Sequence, residues 1–104
     1  MLNISWFERV TEFINSLPEA ERLKIGKVVE AIQAGEFESL HIKTIKGPIK
    51  ELIVHKTRIL FCIEKSTLYY LNAFTKKSAK TPRSEIRFAE YIYRLLFNKN
   101  NLSS

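Results

Sequence analysis

What this sequence has little of narrows the chemistry that it can perform. Its 104 residues include no aspartate, because all eleven acidic residues are glutamates, and they include one cysteine and two histidines. The single cysteine, Cys62, excludes an internal disulfide bond and favours a reducing compartment. The two histidines, His41 and His55, are separated in the sequence, so no set of metal ligands is evident. No Walker, dinucleotide-binding or CxxC motif occurs, and we expect neither a metal nor a cofactor.

Long hydrophobic runs are also absent. No apolar stretch approaches the ~20 residues that cross a bilayer, and Glu8 and Arg9 lie where a signal peptide has its apolar region. We therefore expect a cytoplasmic protein that does not bind a membrane. A chain of this length with 45% hydrophobic residues can form one domain around one core. We assign that domain to residues 1–97 and a polar C-terminal tail to residues 98–104.

The positive charge is concentrated in the last two thirds of the chain. Residues 1–40 hold four basic residues and seven glutamates, a net charge of −3, whereas residues 41–104 hold thirteen basic and four acidic residues, a net charge of +9. The two values add up to the net charge of +6 for the whole chain. This asymmetry indicates a basic surface that suits nucleic acid or an acidic protein.

The first third of the chain has the apolar spacing of helices. A short strand is possible over residues 1–4, after which Ser5 and Glu8 form a capping-box pattern. This pattern predicts a helix over about residues 6–16 with Trp6 in its core face. A second helix follows, so we expect a helical hairpin.

The second helix has recognisable ends. Pro18 suits the first turn of a helix, and Gly35 suits the position that follows the last turn. Residues 37–47 then show no clean period, and we interpret them as a long connection that is partly extended.

Beyond this connection the pattern becomes that of strands. Three runs rich in β-branched and aromatic residues are separated by short turns, which predicts a three-stranded antiparallel meander. These runs are Ile49–His55, Arg58–Glu64 and Leu68–Phe74. Next come a basic loop, defined as residues 76–83, and a final helix with Thr81 as N-cap and Pro82 at its first position. We predict an α+β fold: a helical hairpin packed on a small antiparallel sheet with a C-terminal helix.

Side-chain alternation in the middle strand separates two faces. The face expected to contact the helices carries Ile59, Phe61 and Ile63. Arg58 then points to the opposite face, and antiparallel pairing brings Phe74 beside it, so Arg58 and the basic loop share one end of the sheet. The alternative interpretation of the basic loop is a solvated turn. For Arg58 the alternative is a surface residue that pairs with a glutamate on a neighbouring strand, such as Glu51.

The residues from the meander to the last helix resemble the RelE/ParE toxin superfamily, in its HigB-like and phage-derived branch. That branch has the pattern L-x-E-L-R, then aromatic-Arg-Ile, then F-x-K-K-x-x-K-T-P-x-x-E-I-x-x-A. Here residues 49–53 read Ile-Lys-Glu-Leu-Ile, residues 57–59 read Thr-Arg-Ile, and residues 74–89 read Phe-Thr-Lys-Lys-Ser-Ala-Lys-Thr-Pro-Arg-Ser-Glu-Ile-Arg-Phe-Ala. The third motif matches almost completely.

The resemblance implies a RelE-like fold and the toxin of a type II toxin–antitoxin module. Such toxins are commonly ribosome-dependent endoribonucleases that cut messenger RNA without a metal, by attack of the 2′-hydroxyl on the adjacent phosphate. The implied partners are messenger RNA on the ribosome and a cognate antitoxin, for which we expect a helix-turn-helix protein. Arg58 and Lys77 match the positions that the resemblance makes catalytic. The supporting candidates for RNA or phosphate binding are Lys50, Lys76, Lys80 and Arg83.

The departures from the family pattern include Ile53, which replaces an arginine, and Thr57, which replaces an aromatic residue. No matching residue is an evident general acid or base, so Glu51 and His55 are the candidates for that work. Three functions stay open. They are a messenger RNA endonuclease, a ParE-type inhibitor of DNA gyrase that needs no acid or base, and a degenerate module that only binds an antitoxin.

Overall fold

The apolar patterns of the sequence correspond to five strands and three helices between residues 2 and 97, the part of the chain that the computed structural model describes. In chain order the elements are β1 (Asn3–Trp6), α1 (Glu8–Asn15), α2 (Glu19–Gln33), β2 (His41–Lys46), β3 (Ile49–Val54), β4 (Thr57–Glu64), β5 (Thr67–Thr75) and α3 (Arg83–Phe97). The predicted polar tail, residues 98–104, lies outside the described residues.

The strands form one five-stranded sheet with the order β1-β5-β4-β3-β2. Strands β3, β4 and β5 are the predicted meander, and their antiparallel pairing is confirmed. Strand β1 pairs with β5 in parallel. The α+β class is therefore confirmed, but the sheet is mixed and larger than the small antiparallel sheet that we expected.

Strand β2 corrects the prediction of a long connection. It pairs antiparallel with β3, and a bulge interrupts the pairing between Thr44 and Lys46. Ile42 packs against the core on one face of the sheet, whereas Ile45 packs against the core on the other face. Because these two isoleucines serve opposite cores, the strand shows no alternating apolar pattern.

The N-terminal segment also differs from the prediction. Ser5 and Trp6 belong to β1, and Phe7 is the N-cap of α1 without a side-chain capping bond. Pairing with β5 extends the strand, and the ring of Trp6 stacks on that of Tyr70 at 4.2 Å between centroids. Trp6 is 40% exposed, so it lies at the rim of the core rather than inside it.

Helix α2 ends as the sequence predicts. Gly35 has a φ of +79°, and the N–H groups of Gly35 and Glu36 donate to the carbonyls of Ile32 at 3.1 Å and Ala31 at 2.9 Å. This pair of bonds is a Schellman motif. Pro18, expected in the first turn, is the N-cap instead.

Helices cover both faces of the sheet. Helices α1 and α2 pack on the face that carries Ile59 and Phe61, as predicted. Helix α3 packs on the opposite face, where Leu60 and Cys62 are fully buried. The face that we expected to be free for chemistry is therefore largely a second core, and Arg58, on the same face, is half-buried.

Candidate nucleic-acid interface

The register of the sheet brings the β3–β4 turn next to the basic loop. Arg58 pairs with Phe74 where β4 begins and β5 ends, which confirms the predicted juxtaposition. Beyond β5, the N–H of Lys76 donates to the carbonyl of Lys56 at 2.8 Å. The turn and the loop therefore meet at one end of the sheet. We call this region the basic corner and define it as residues 55–58 together with residues 76–80.

The turn fixes the guanidinium group of Arg58. Its Nη1 donates to the carbonyl of His55 at 2.6 Å and to that of Thr57 at 3.2 Å. Its Nε is buried and makes no hydrogen bond within residues 2–97. No salt bridge joins Arg58 to a glutamate in that part of the chain, so the cross-strand pair with Glu51 does not form.

The lysines of the basic loop differ in exposure. Lys76 is half-buried beside the β3–β4 turn, and Lys77 and Lys80 are exposed. None of the three is in a salt bridge among residues 2–97. Their ammonium groups are therefore available to an anionic ligand at the basic corner.

Two other predicted phosphate-binding residues lie elsewhere. Lys50 pairs with Phe61, so alternation directs it to the face covered by α1 and α2, away from Arg58. Arg83 is the first residue of α3 and lines a shallow groove of about 360 Å³ with Lys46 and Arg87. Lys46 in this groove is paired with Glu90 at 2.9 Å.

Glu51 has a different environment from the surface acid or base that we considered. It is 1% exposed, and its Oε2 accepts a hydrogen bond from the hydroxyl of Thr81 at 2.7 Å. Its Oε1 is buried and has no hydrogen-bond partner among residues 2–97. Thr81 is therefore not the predicted N-cap; the carbonyl of Pro82 accepts the first helical bonds instead, from the N–H groups of Glu85 and Ile86.

His55 is the exposed acid–base candidate. It lies in the β3–β4 turn with a φ of 58°, and its carbonyl orients Arg58. Its Nδ1 is 3.7 Å from a carboxylate oxygen of Glu21 on α2. The imidazole is therefore part of the basic corner and lies beside a glutamate of α2.

The residues that attach α3 to the sheet were not predicted from the sequence. Leu60 pairs with Asn72 and Phe61 pairs with Tyr70, so Leu71 forms a bulge in β5. The Nδ2 of Asn72 donates to the carbonyl and the Oε1 of Glu85, at 3.0 and 2.8 Å. Asn72 is fully buried, and an asparagine within an apolar run was the signal that could have identified this attachment.

No helix among residues 2–97 is long and apolar enough to span a membrane. Within the same residues, no three side chains of histidine, cysteine or glutamate are grouped closely enough to hold a metal ion.

Comparison with known proteins agrees with this architecture. The sequence profile of the family described as "Phage derived protein Gp49-like" matches residues 12–94. The chain belongs to the Gp49-like family. A search of curated proteins by sequence gives no significant match. The family and the folds described next confirm the resemblance to the phage-derived branch of the RelE/ParE superfamily.

Three of the solved structures similar to this Gp49-like chain are RelE proteins. The RelE–RelB complex of Pyrococcus horikoshii matches with a TM-score of 0.65 and 12% identity, over 75% of this chain and 98% of that one. The RelB–RelE complex of Methanococcus jannaschii matches with a TM-score of 0.60 and 19% identity, over 84% of this chain and 95% of that one. The isolated Escherichia coli RelE toxin matches with a TM-score of 0.59 and 12% identity, over 91% of this chain and 99% of that one. The chain therefore has the RelE fold.

Proposed function

We propose that this Gp49-like chain is the toxin of a type II toxin–antitoxin module and that it cleaves messenger RNA on the ribosome. The observation that carries the proposal is the basic corner, where an arginine oriented by the β3–β4 turn lies beside lysines that form no salt bridge with residues 2–97. Such a group of cations suits binding of phosphates. The RelE fold and the membership of the Gp49-like family support the same function.

In the proposed reaction the 2′-hydroxyl of one nucleotide attacks the adjacent phosphate. The P–O5′ bond breaks, leaving a 2′,3′-cyclic phosphate on one product and a 5′-hydroxyl on the other. Arg58 and Lys77 neutralise the charge that grows on the phosphate, and Lys76 and Lys80 hold the strand. One proton leaves the attacking hydroxyl and one reaches the departing oxygen. His55 is the exposed group in the corner that can transfer one of them.

The proposed partner is an antitoxin that covers the basic corner. An acidic or helical segment fits there because its charge is complementary, and the association should weaken as salt increases. Two of the similar structures are complexes of RelE with RelB. We propose a helix-turn-helix protein for this partner and the cytoplasm, where ribosomes translate, as the place of action.

Expression in cells tests the proposal. The chain is induced without a partner, and primer extension maps the 5′ ends of translated messages. New ends inside coding regions are expected as growth stops. Unchanged messages under conditions where growth stops would contradict the endonuclease.

One observation favours a second candidate, a ParE-type inhibitor of DNA gyrase. Glu51 is buried and bonded to Thr81, which leaves His55 as the exposed candidate for proton transfer, and gyrase inhibition requires no such group. An in vitro supercoiling assay separates the two functions. Growth that is unaffected by expression would instead support a degenerate module that only binds an antitoxin.

A further inference from the structure

The buried carboxylate of Glu51 lies beneath the end of the basic loop. Thr81, which donates to Glu51 at 2.7 Å, is thirty residues further along the chain. Desolvating a carboxylate is unfavourable unless hydrogen bonds replace its hydration. Among residues 2–97, the one hydrogen bond of this buried carboxylate is to a loop hydroxyl. Glu51 therefore favours the loop conformation that supplies this bond.

The loop is attached to the sheet at two points that flank its exposed lysines. At its beginning, the N–H of Lys76 bonds the carbonyl of Lys56 at 2.8 Å. Near its end, Thr81 bonds Glu51. Lys77 and Lys80 lie between these points and are exposed. The position of both ammonium groups relative to the sheet thus depends on the two attachments.

We propose that Glu51 is a positioning residue that holds the basic loop against the sheet through Thr81, rather than a group that transfers protons. This inference deepens the proposed function, on which its catalytic consequence rests. Glu51 acts through the lysines of the loop and does not touch the phosphate.

Glu51 and Arg58 also lie on the same face of the sheet. Glu51 pairs with Leu60, and Arg58 lies two residues before Leu60 on the same face of β4. Oε1 of Glu51 and Nε of Arg58 are both buried and without partners among residues 2–97, one an acceptor and the other a donor. No salt bridge joins the two side chains within residues 2–97, so Thr81 is the contact through which Glu51 acts.

Digestion of the folded protein by trypsin tests the attachment directly, because Lys76, Lys77 and Lys80 are cleavage sites within the loop. Thr81→Val removes the donor and keeps the shape of the side chain. We expect cleavage in the loop to become about tenfold faster. The reason is that the loss of one hydrogen bond to a charged group raises the population of the open loop by about this factor. Thr81→Ser retains the hydroxyl and should resemble the wild type. Thr11→Val, the same change at an exposed site on α1, serves as the control.

Loop cleavage in Thr81→Val at the wild-type rate would overturn the proposal. If the variant is less stable as a whole, amide hydrogen exchange separates the two effects. Faster exchange at residues 77–81 with little change in β4 supports a local attachment, and equal acceleration everywhere contradicts it. Neither measurement uses RNA, so both remain decisive if the proposed nuclease activity fails.

Activity measurements distinguish positioning from proton transfer. A positioning role predicts that Glu51→Gln and Thr81→Val both slow RNA cleavage and that the pH profile keeps the wild-type shape. A proton-transfer role predicts that Glu51→Gln removes one limb of that profile, whereas Thr81→Val leaves the rate unchanged. The second pattern would contradict the proposal even if trypsin digestion showed an attached loop.

Discussion

Arg58 shows how the backbone can prepare one side chain for binding an anion. Its Nη1 is held by two carbonyls of the β3–β4 turn, at 2.6 and 3.2 Å. An arginine bound in this way loses less conformational entropy when it binds a phosphate than a free one does. Lys77 has no such support and is exposed, so it contributes charge more than geometry.

Arg58→Ala and Lys77→Ala should each relieve toxicity, because each removes positive charge that stabilises the reacting phosphate. We expect RNA cleavage to slow about 100-fold for Arg58→Ala and less for Lys77→Ala. Arg58→Lys should also be impaired, since an ammonium group lacks the rigid planar fork of donors with which a guanidinium group binds a phosphate in a bidentate way. Growth on induction and cleavage rates measure these effects. Arg94→Ala, an exposed arginine in the last turn of α3, is the control; a fully toxic Arg58→Ala would remove Arg58 from the site.

The thiol of Cys62 should be inert in the folded protein. Burial, reinforced by the charge of Glu64, raises the pKa of Cys62 to about 12, so the reactive thiolate is scarce at pH 8. Because this pKa is higher in the folded state than in the unfolded state, the buried neutral thiol contributes to the free energy of unfolding. This contribution is fully present below about pH 9 and decreases as the pH rises towards 12. Alkylation by iodoacetamide at pH 8 should be slow, whereas the urea-denatured protein reacts at once. Rapid alkylation of the native protein would show that Cys62 is not buried.

At the scale of elements, the meander and the last helix could be predicted from the sequence because their patterns are local. Strand β2 could not, because Ile42 and Ile45 contact different cores. The length of β1 depends on pairing with β5, more than sixty residues away. The site shows the same division between local and distant information. The proximity of Arg58 to the basic loop follows from strand register and could be predicted. The bond between Glu51 and Thr81 depends on the path of the loop and could not.

Gly26 within α2 and Gly35 just after it should respond oppositely to alanine. A Cβ at either position meets nothing within 4 Å, so the backbone conformation decides the sign. Gly35 has a φ of +79°, so Gly35→Ala should destabilise the protein by about 1 kcal/mol through backbone strain. Gly26 lies inside the helix, so Gly26→Ala should stabilise it by about 0.5–1 kcal/mol. Urea unfolding measures both. Changes of the same sign in the free energy of unfolding of the two variants would contradict the described end of α2.

At the scale of the whole molecule, the separation of charge follows the architecture. The acidic first 40 residues form β1, α1 and α2, whereas the basic remainder forms the rest of the sheet, the loop and α3. Helices on both faces bury most of the meander. We therefore expect anionic partners to bind at the end of the sheet, where Arg58 and the basic loop meet.

Single-turnover cleavage with purified components tests whether this basic corner cleaves RNA on the ribosome, as we propose. A messenger RNA is incubated with the protein in the presence and absence of translating ribosomes, and the product ends are analysed. We expect cleavage only with ribosomes, product ends with a 2′,3′-cyclic phosphate, and a rate about 100-fold lower for Arg58→Ala. Intact message with a preparation that arrests growth, or equal cleavage by wild type and Arg58→Ala, would contradict it.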